Sequence, residues 1–209
     1  MKSILDPVTL SGNVVFLEPL AESHAEGLFS SGKDPSIWTY LPYRPFDGVE
    51  SAMEFIRETR RMADSGSIRP FAIRLLHSRE VVGTTRFMDI RIPDRGVEIG
   101  GTWVAREFQR TGVNTECKYL LLRHAFESAG AVRVQLKTDG RNLNSQRAIE
   151  RIGGVREGVL RRHMALPDGF IRDTVYFSIL DYEWPAVKAR LNDFMAPNPN
   201  RAEGIRKPN

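Results

Sequence analysis

Apolar residues recur along the chain with two periods, and the switches between them mark out strands and helices. The run 13–20, NVVFLEPL, alternates as a strand does and is closed by Pro19, and 21–31 follows as a short helix. In 49–66, Met53, Phe55, Ile56 and Met62 fall at helical spacing, and Gly66 stands where a C-cap belongs. Two strand-like runs, 69–76 and 80–90, flank HSR and predict a hairpin; IPDRG (92–96) turns into a further strand over 96–104. A stripe of Val113, Cys117, Leu120, Leu121 and Ala125 predicts a helix over 113–126. Val132, Val134 and Leu136 share one face of a strand over 131–138. NSQRAIERIG (144–153) opens on Asn/Ser cap residues and ends at a glycine pair, which predicts a short helix. The runs 155–166 and 170–180 around PDG form a closing hairpin, and 182–195 is a last helix that tolerates Pro185 in its first turn.

The resulting order is an α+β arrangement: strand, two helices, three antiparallel strands, then helix–strand–helix, a hairpin and a helix. A doubly wound dinucleotide fold needs regular strand–helix alternation and G-x-G-x-x-G after its first strand, and neither is present. The P-loop pattern is absent as well. The segment 33–48 predicts a long loop with three prolines and four aromatic residues, Trp38, Tyr40, Tyr43 and Phe46. Loops of this length are uncommon unless functional. The aromatics either line a binding surface or plug the core.

Composition narrows the class. A length of 209 residues with 41% hydrophobic and 27% charged residues suits one soluble globular domain, expected over 1–195. The segment 196–209, APNPNRAEGIRKPN, reads as a mobile tail. No apolar run approaches the roughly 20 residues that span a bilayer, and Asp6 and Pro7 break the first apolar stretch too early for a secretory signal. Cys117 is the only cysteine, so no intramolecular disulfide exists and a reducing cytoplasm is the expected compartment. Its place on the apolar stripe marks a buried small hydrophobe rather than a nucleophile. The four histidines, 24, 77, 124 and 163, show no metal-ligand spacing, so no metal is expected. A net charge of +4 admits acidic ligands without establishing them. The densest basic cluster, RETRR (57–61), reads as a solvated helix face, and no nucleic-acid partner is expected.

One stretch sits at a junction with chemical consequences. QRTGVNTE (109–116) falls between the strand ending at 104 and the helix beginning near 113. A helix N-terminus leaves backbone N–H groups unpaired and carries partial positive charge, so it is a ready anion site. The plainer reading is an ordinary turn, with Thr111 or Asn114 as cap and Gly112 easing the bend.

With this element order around it, QRTGVN resembles the phosphate-binding motif of the GNAT superfamily of N-acetyltransferases, [QR]-x-x-G-x-[GA]. Gln109, Arg110, Thr111, Gly112 and Val113 match it, and Asn114 stands where Gly or Ala is usual. EIG (98–100), N-x-x-S from Asn142 to Ser145 and AIERIGG (148–154) resemble further family elements in order and spacing. EGVLRRH (157–163) and GFIRDTVYFS (169–178) resemble the closing hairpin of the branch that includes ribosomal-protein N-terminal acetyltransferases. The resemblance covers about 13–195. Two further departures are Ile149, where many members carry a tyrosine proposed as general acid, and Gly154, where Phe is usual.

The resemblance implies a largely antiparallel seven-stranded sheet flanked by helices and splayed between its fourth and fifth strands. It implies acetyl-CoA as co-substrate and an amine acceptor, either a peptide N-terminus or a small molecule, with a homodimer possible as in some relatives. Backbone N–H groups from Arg110 through Thr115 would then converge on the pyrophosphate, with the Gln109, Arg110 and Thr115 side chains at the rim. The N–H of Val104 would face the thioester carbonyl and Asn142 the pantetheine arm, although turn formation alone also accounts for Asn142. Glu98 is the candidate base for the amine; the alternative is an edge carboxylate paired with an arginine. Ser145 is either a proton donor to the departing thiolate or a helix N-cap. Trp38, Tyr40, Tyr43 and Tyr176 are candidate acceptor contacts, and Tyr176 equally suits the core. The competing function is a non-catalytic acyl-CoA-binding or sensing domain of the same fold.

Overall fold

The computed structural model describes residues 1–196. The expected tail therefore lies, from residue 197 on, outside the described residues. One eight-stranded sheet forms the spine, in the order β1-β2-β3-β4-β5-β6-β8-β7. Its strands are β1 Leu10–Ser11, β2 Val15–Pro19, β3 Arg69–Leu75, β4 Val81–Arg91, β5 Gly96–Val104, β6 Arg133–Asp139, β7 Val155–Ala165 and β8 Ile171–Leu180. The strand beyond the expected seven is β1, which pairs only Leu10 with Leu17 and Ser11 with Phe16. Two residues are too few to show a period. The helices are α1 Ala25–Ser31, α2 Val49–Asp64, α3 Gly112–Arg123, α4 Leu143–Arg151 and α5 Trp184–Met195.

The sheet buries both faces. On one, Val97, Ile99 and Val104 of β5 pack with Cys117, Leu120 and Leu121 of α3 and with Trp184 and Leu191 of α5. On the other, Ala72 and Trp103 meet Leu28 of α1, Ala52 and Ile56 of α2, and Trp38. Cys117 is fully buried, and burial pushes its thiol up to about 12, as suits a core residue.

Neighbouring strands run antiparallel except β5 and β6, which are parallel and pair only at Gly96–Arg133, Val97–Val134 and Glu98–Gln135. Beyond Glu98 the two strands separate. The cause lies in the β4–β5 ladder, where Arg86 pairs with Gly100 but Thr84 with Trp103, so that β5 carries an extra residue. Such a bulge bends the strand that holds it. Gly101 occupies it with φ +57, and a Cβ there would stand 2.3 Å from Arg86 Nε. Glycine avoids both the strain of that conformation and the close approach to Arg86.

Candidate active site

Between the diverging ends of β5 and β6 lies a cleft of about 630 Å³, walled by β5, β6, α3, α4 and the loop before α2. It is built around a capped helix. Thr111 precedes α3, and its Oγ1 accepts the Val113 N–H at 3.3 Å while donating to the Phe108 carbonyl at 2.6 Å. Thr111 is thus the cap, and Asn114 is free of that duty. Arg110 holds φ +61, a left-handed conformation that turns the chain sharply into the helix. Gly112 is different: its φ is not positive and nothing lies within 4 Å of where its Cβ would be. The fold itself does not require glycine here. The space beside it is open.

Of the residues singled out from sequence, Val104, Gln109, Arg110, Asn114, Thr115, Asn142, Ser145 and Tyr40 line this cleft. Asn114 turns its side chain inward, where Oδ1 is buried without a partner. Gln109 Nε2 donates to the Val104 carbonyl at 3.1 Å. The Ala105 N–H bonds the Val82 carbonyl at 2.8 Å, so ladder alternation turns Val104's backbone groups away from β4 towards the gap. Thr115 Oγ1 accepts from Arg151 Nη2 at 2.7 Å. Val113 differs from its neighbours: its side chain is in the core and its N–H is held by Thr111, so it offers the cleft nothing.

Glu98 sits at the point of separation. It is 1% exposed, and Oε2 accepts from Gln135 Nε2 at 2.8 Å and pairs with Lys137 Nζ at 3.2 Å. Oε1 is buried and has no partner. The carboxylate is therefore neither at an edge nor arginine-paired; β5 is an inner strand. Glu98 itself does not line the cleft, whereas its chain neighbours Ile99 and Gly100 and its partner Lys137 do.

The remaining positions sort by packing. Asn142 is the N-cap of α4, its Oδ1 accepting the Ser145 N–H at 3.0 Å. Ser145 is consequently not the cap and is left facing the cleft. The aromatic loop divides. Trp38 is 4% exposed, its rings 4.9 Å from Phe46 and 5.1 Å from Trp103, and its Nε1 donates to the Gly32 carbonyl. That corrects the expected acceptor contact: Trp38 plugs the core. Tyr43 stands edge-on to Phe55 with the Arg86 guanidinium 5.2 Å from its ring, and it lines an adjacent groove rather than the cleft. Tyr176 is half-buried between His163 and Lys137, beside Glu98 but outside the cleft lining. Burial, then the Glu98 charge, holds its phenol above the usual range.

Comparison with known proteins settles the lineage. The family model described as Acetyltransferase (GNAT) domain matches residues 15–155. The chain belongs to the GNAT acetyltransferase family. Among relatives, the Bacillus subtilis (strain 168) protein named "Putative ribosomal N-acetyltransferase YdaF" is 30% identical over 179 residues, covering 82% of this chain and 92% of its own. A solved GCN5-related N-acetyltransferase from Brucella melitensis superposes with TM-score 0.85 at 29% identity, covering 92% of this chain and 87% of that one. Mycobacterium smegmatis RimJ, solved in complex with CoA-disulfide, shares the fold with TM-score 0.80 at 24% identity, covering 91% and 96%.

Within this GNAT domain, two of the three departures touch each other. Ile149 is buried, and a Cβ on Gly154 would lie 2.5 Å from Ile149 Cγ2, so the small residue makes room for the branched one. Basic residues of the site that were not singled out from sequence include Lys118 and Arg172 in the lining and Arg86 near Glu98. Lys118 is 8% exposed at the cleft wall, donates to Thr102 Oγ1 at 2.9 Å, and burial pushes it down to about 8. Arg86 is 5% exposed, and burial, opposed by the Glu98 charge, lowers it to about 10. Arg172 is buried and lines the cleft. Lys118 directly follows Cys117 on α3, at the border of the apolar stripe, which was the available signal. Arg86 and Arg172 lie in strands whose partners only the sheet order reveals. Among the described residues no helix is long and apolar enough to cross a membrane, and no His, Cys, Asp and Glu cluster suits a metal.

Proposed function

We propose that this GNAT acetyltransferase transfers the acetyl group of acetyl-CoA to a primary amine by direct attack on the thioester. The carrying observation is the cleft itself, opened by the β5 bulge, with the α3 N-terminus along it and a buried, half-satisfied carboxylate beside its lining residues Ile99 and Lys137. The residues present fit the cofactor. The open space over Gly112, the left-handed Arg110 and the orphaned Asn114 Oδ1 suit a cradle for the pyrophosphate. The Asn amide can turn over and present Nδ2 to phosphate oxygens. Acetyl-CoA supplies an activated acyl carbon with a thiolate leaving group.

The chain does the rest. The Val104 N–H, aimed into the gap, is placed to donate to developing negative charge on the acyl oxygen. Glu98 takes the amine's proton through water at Oε1, and Lys137 and Gln135 hold the opposite oxygen so that Oε1 keeps its aim. Ser145, released from capping by Asn142, is free to donate to the departing sulfur, and Asn142 itself borders the channel. Tyr40 lies on the acceptor side. The acceptor is a peptide N-terminus or a small amine, and the name of the B. subtilis relative supports the former. A reducing cytoplasm suits the single, buried Cys117.

Titration with acetyl-CoA, followed by a free-thiol release assay across peptide N-termini and small amines, tests this. Saturable binding with amine-dependent thiol release is expected. Binding without thiol release from any amine would overturn it in favour of an acyl-CoA sensor.

A further inference from the structure

The acceptor side of the cleft carries positive charge that no ion-pair contact neutralises. Arg172, 5% exposed on β8, donates from Nε to Thr174 Oγ1 and from Nη1 to the Tyr40 carbonyl, each at 3.1 Å. Two of its five N–H groups are thereby used, both on neutral acceptors. Arg86, on the Glu98 face of β4, meets only the Tyr43 ring and the more distant Glu98 charge. Among the described residues neither arginine has an ion pair. The nearby carboxylates make their contacts elsewhere, Glu98 with Lys137 at 3.2 Å and Asp139 with Arg141 at 2.8 Å, and the charges of Asp139 and then Glu98 reach Arg172 only at longer range. Among the described residues the cleft lining holds Arg106, Arg110, Lys118, Lys137, Arg151 and Arg172 and no Asp or Glu, so its charge is net positive.

A buried cation without a counter-charge is costly, and that cost is relieved when an anion arrives. A primary amine, however, arrives from neutral water as a cation. A cleft meant for a polycation would place carboxylates where Arg86 and Arg172 stand. The arrangement instead suits a molecule that brings its own negative group. We infer that the acceptor bears a carboxylate together with its amine, and that Arg172 docks that carboxylate within the cleft. This rests on the N-acetyltransferase reading above.

The guanidinium fork matches a carboxylate in two parallel hydrogen bonds, and the anchored Tyr40 carbonyl and Thr174 hydroxyl fix its orientation. Arg172 is also close enough to feel the Glu98 charge. Amine at Glu98 and carboxylate at Arg172 therefore belong to one short segment. A free amino acid or dipeptide offers that chemistry through its terminal carboxylate, and a protein N-terminus through an early Asp or Glu.

Thiol release by the full-length protein under saturating acetyl-CoA distinguishes these sources. One series compares dipeptides with their C-terminal amides; a second compares N-terminal hexapeptide amides bearing Asp or Glu with those bearing Asn or Gln at the second position; spermidine is the polycation. In at least one series the carboxylate member should have kcat/KM higher by about tenfold or more, with spermidine slowest. Arg172→Gln should erase the preference, and Arg172→Lys should restore part of it. Because Arg172 also anchors the Tyr40 loop, the readout is the ratio within each pair, which a merely loosened loop lowers equally in both members. Equal rates within every pair, a ratio that survives Arg172→Gln, or spermidine as the best acceptor would overturn the inference. Absence of thiol release with every amine is a separate result, and it removes the acetyltransferase reading beneath it.

Discussion

The Glu98 carboxylate has one oxygen tied to Gln135 and Lys137 and the other buried without a partner. A buried acceptor left open is uncommon in folded proteins and points to a functional group or a bound water. Glu98→Gln keeps the size and can still bond Gln135, but it cannot take a proton. The expected outcome is a fall in kcat of about 10²-fold or more with acetyl-CoA affinity little changed. Near-normal turnover would remove Glu98 from the mechanism. Asn114 poses a different question at the same scale, because its amide can face phosphate with either end. Asn114→Asp fixes a negative charge there and should weaken acetyl-CoA binding by about tenfold or more, whereas Asn114→Ala should cost less. Calorimetric titration of both variants decides it; equal affinities would place the side chain away from the pyrophosphate.

Elements are joined by fewer groups than their number suggests. Glu116, in the third helix, accepts the backbone N–H groups of Asn13, Val14 and Val15 at 2.8, 2.8 and 2.7 Å, and so clamps the turn between β1 and β2 onto α3. These are charge-assisted bonds to otherwise unpaired donors. Glu116→Ala should destabilise the fold by about 3 kcal/mol or more, which thermal unfolding would read as a fall in Tm of roughly 5 to 10 °C. A change of under one degree would mean that water replaces the clamp. Legibility in the sequence follows the same division. Helices α2 and α3 and the hairpins were readable because their apolar periods are long and because short polar turns, HSR, IPDRG and PDG, separate the strands. The QRTGVN junction was readable as a capped strand-to-helix turn, because Thr111 and Gly112 stand beside the start of the apolar stripe. Glu116 was not, since its partners lie about a hundred positions away. Nor was the bulge at Gly101, because it exists only in the register between β4 and β5. Trp38 misled for a related reason: a loop full of aromatics looks exposed until α1, α2 and Trp103 close over it.

Across the whole molecule, the same cleft that makes the site makes the fold less stable than it needs to be. Lys118 brings a charge to a fully packed helix and finds only the Thr102 hydroxyl, and burial lowers it from 10.5 to about 8. Below pH 8 both folded and unfolded chains hold this proton, and the folded state carries the full penalty of a desolvated ammonium. Between pH 8 and 10.5 the unfolded chain keeps the proton while the folded chain releases it, so this group makes stability rise with pH across that window. Lys118→Met should accordingly be more stable than the parent at pH 7, by roughly 1 to 3 kcal/mol, and its advantage should shrink steadily towards pH 10.5. Urea unfolding of both proteins at each pH isolates the difference from every other titrating group. An advantage that stays constant with pH would show that packing rather than charge is responsible. The lysine lines the cleft wall, and under the proposed acetyl-CoA reading its positive charge there would serve a cofactor rich in phosphate, which supplies a reason for the cost. The stabilised variant should therefore bind acetyl-CoA more weakly than the parent at pH 7, and the two affinities should converge above pH 8, where the parent's own lysine has lost its charge.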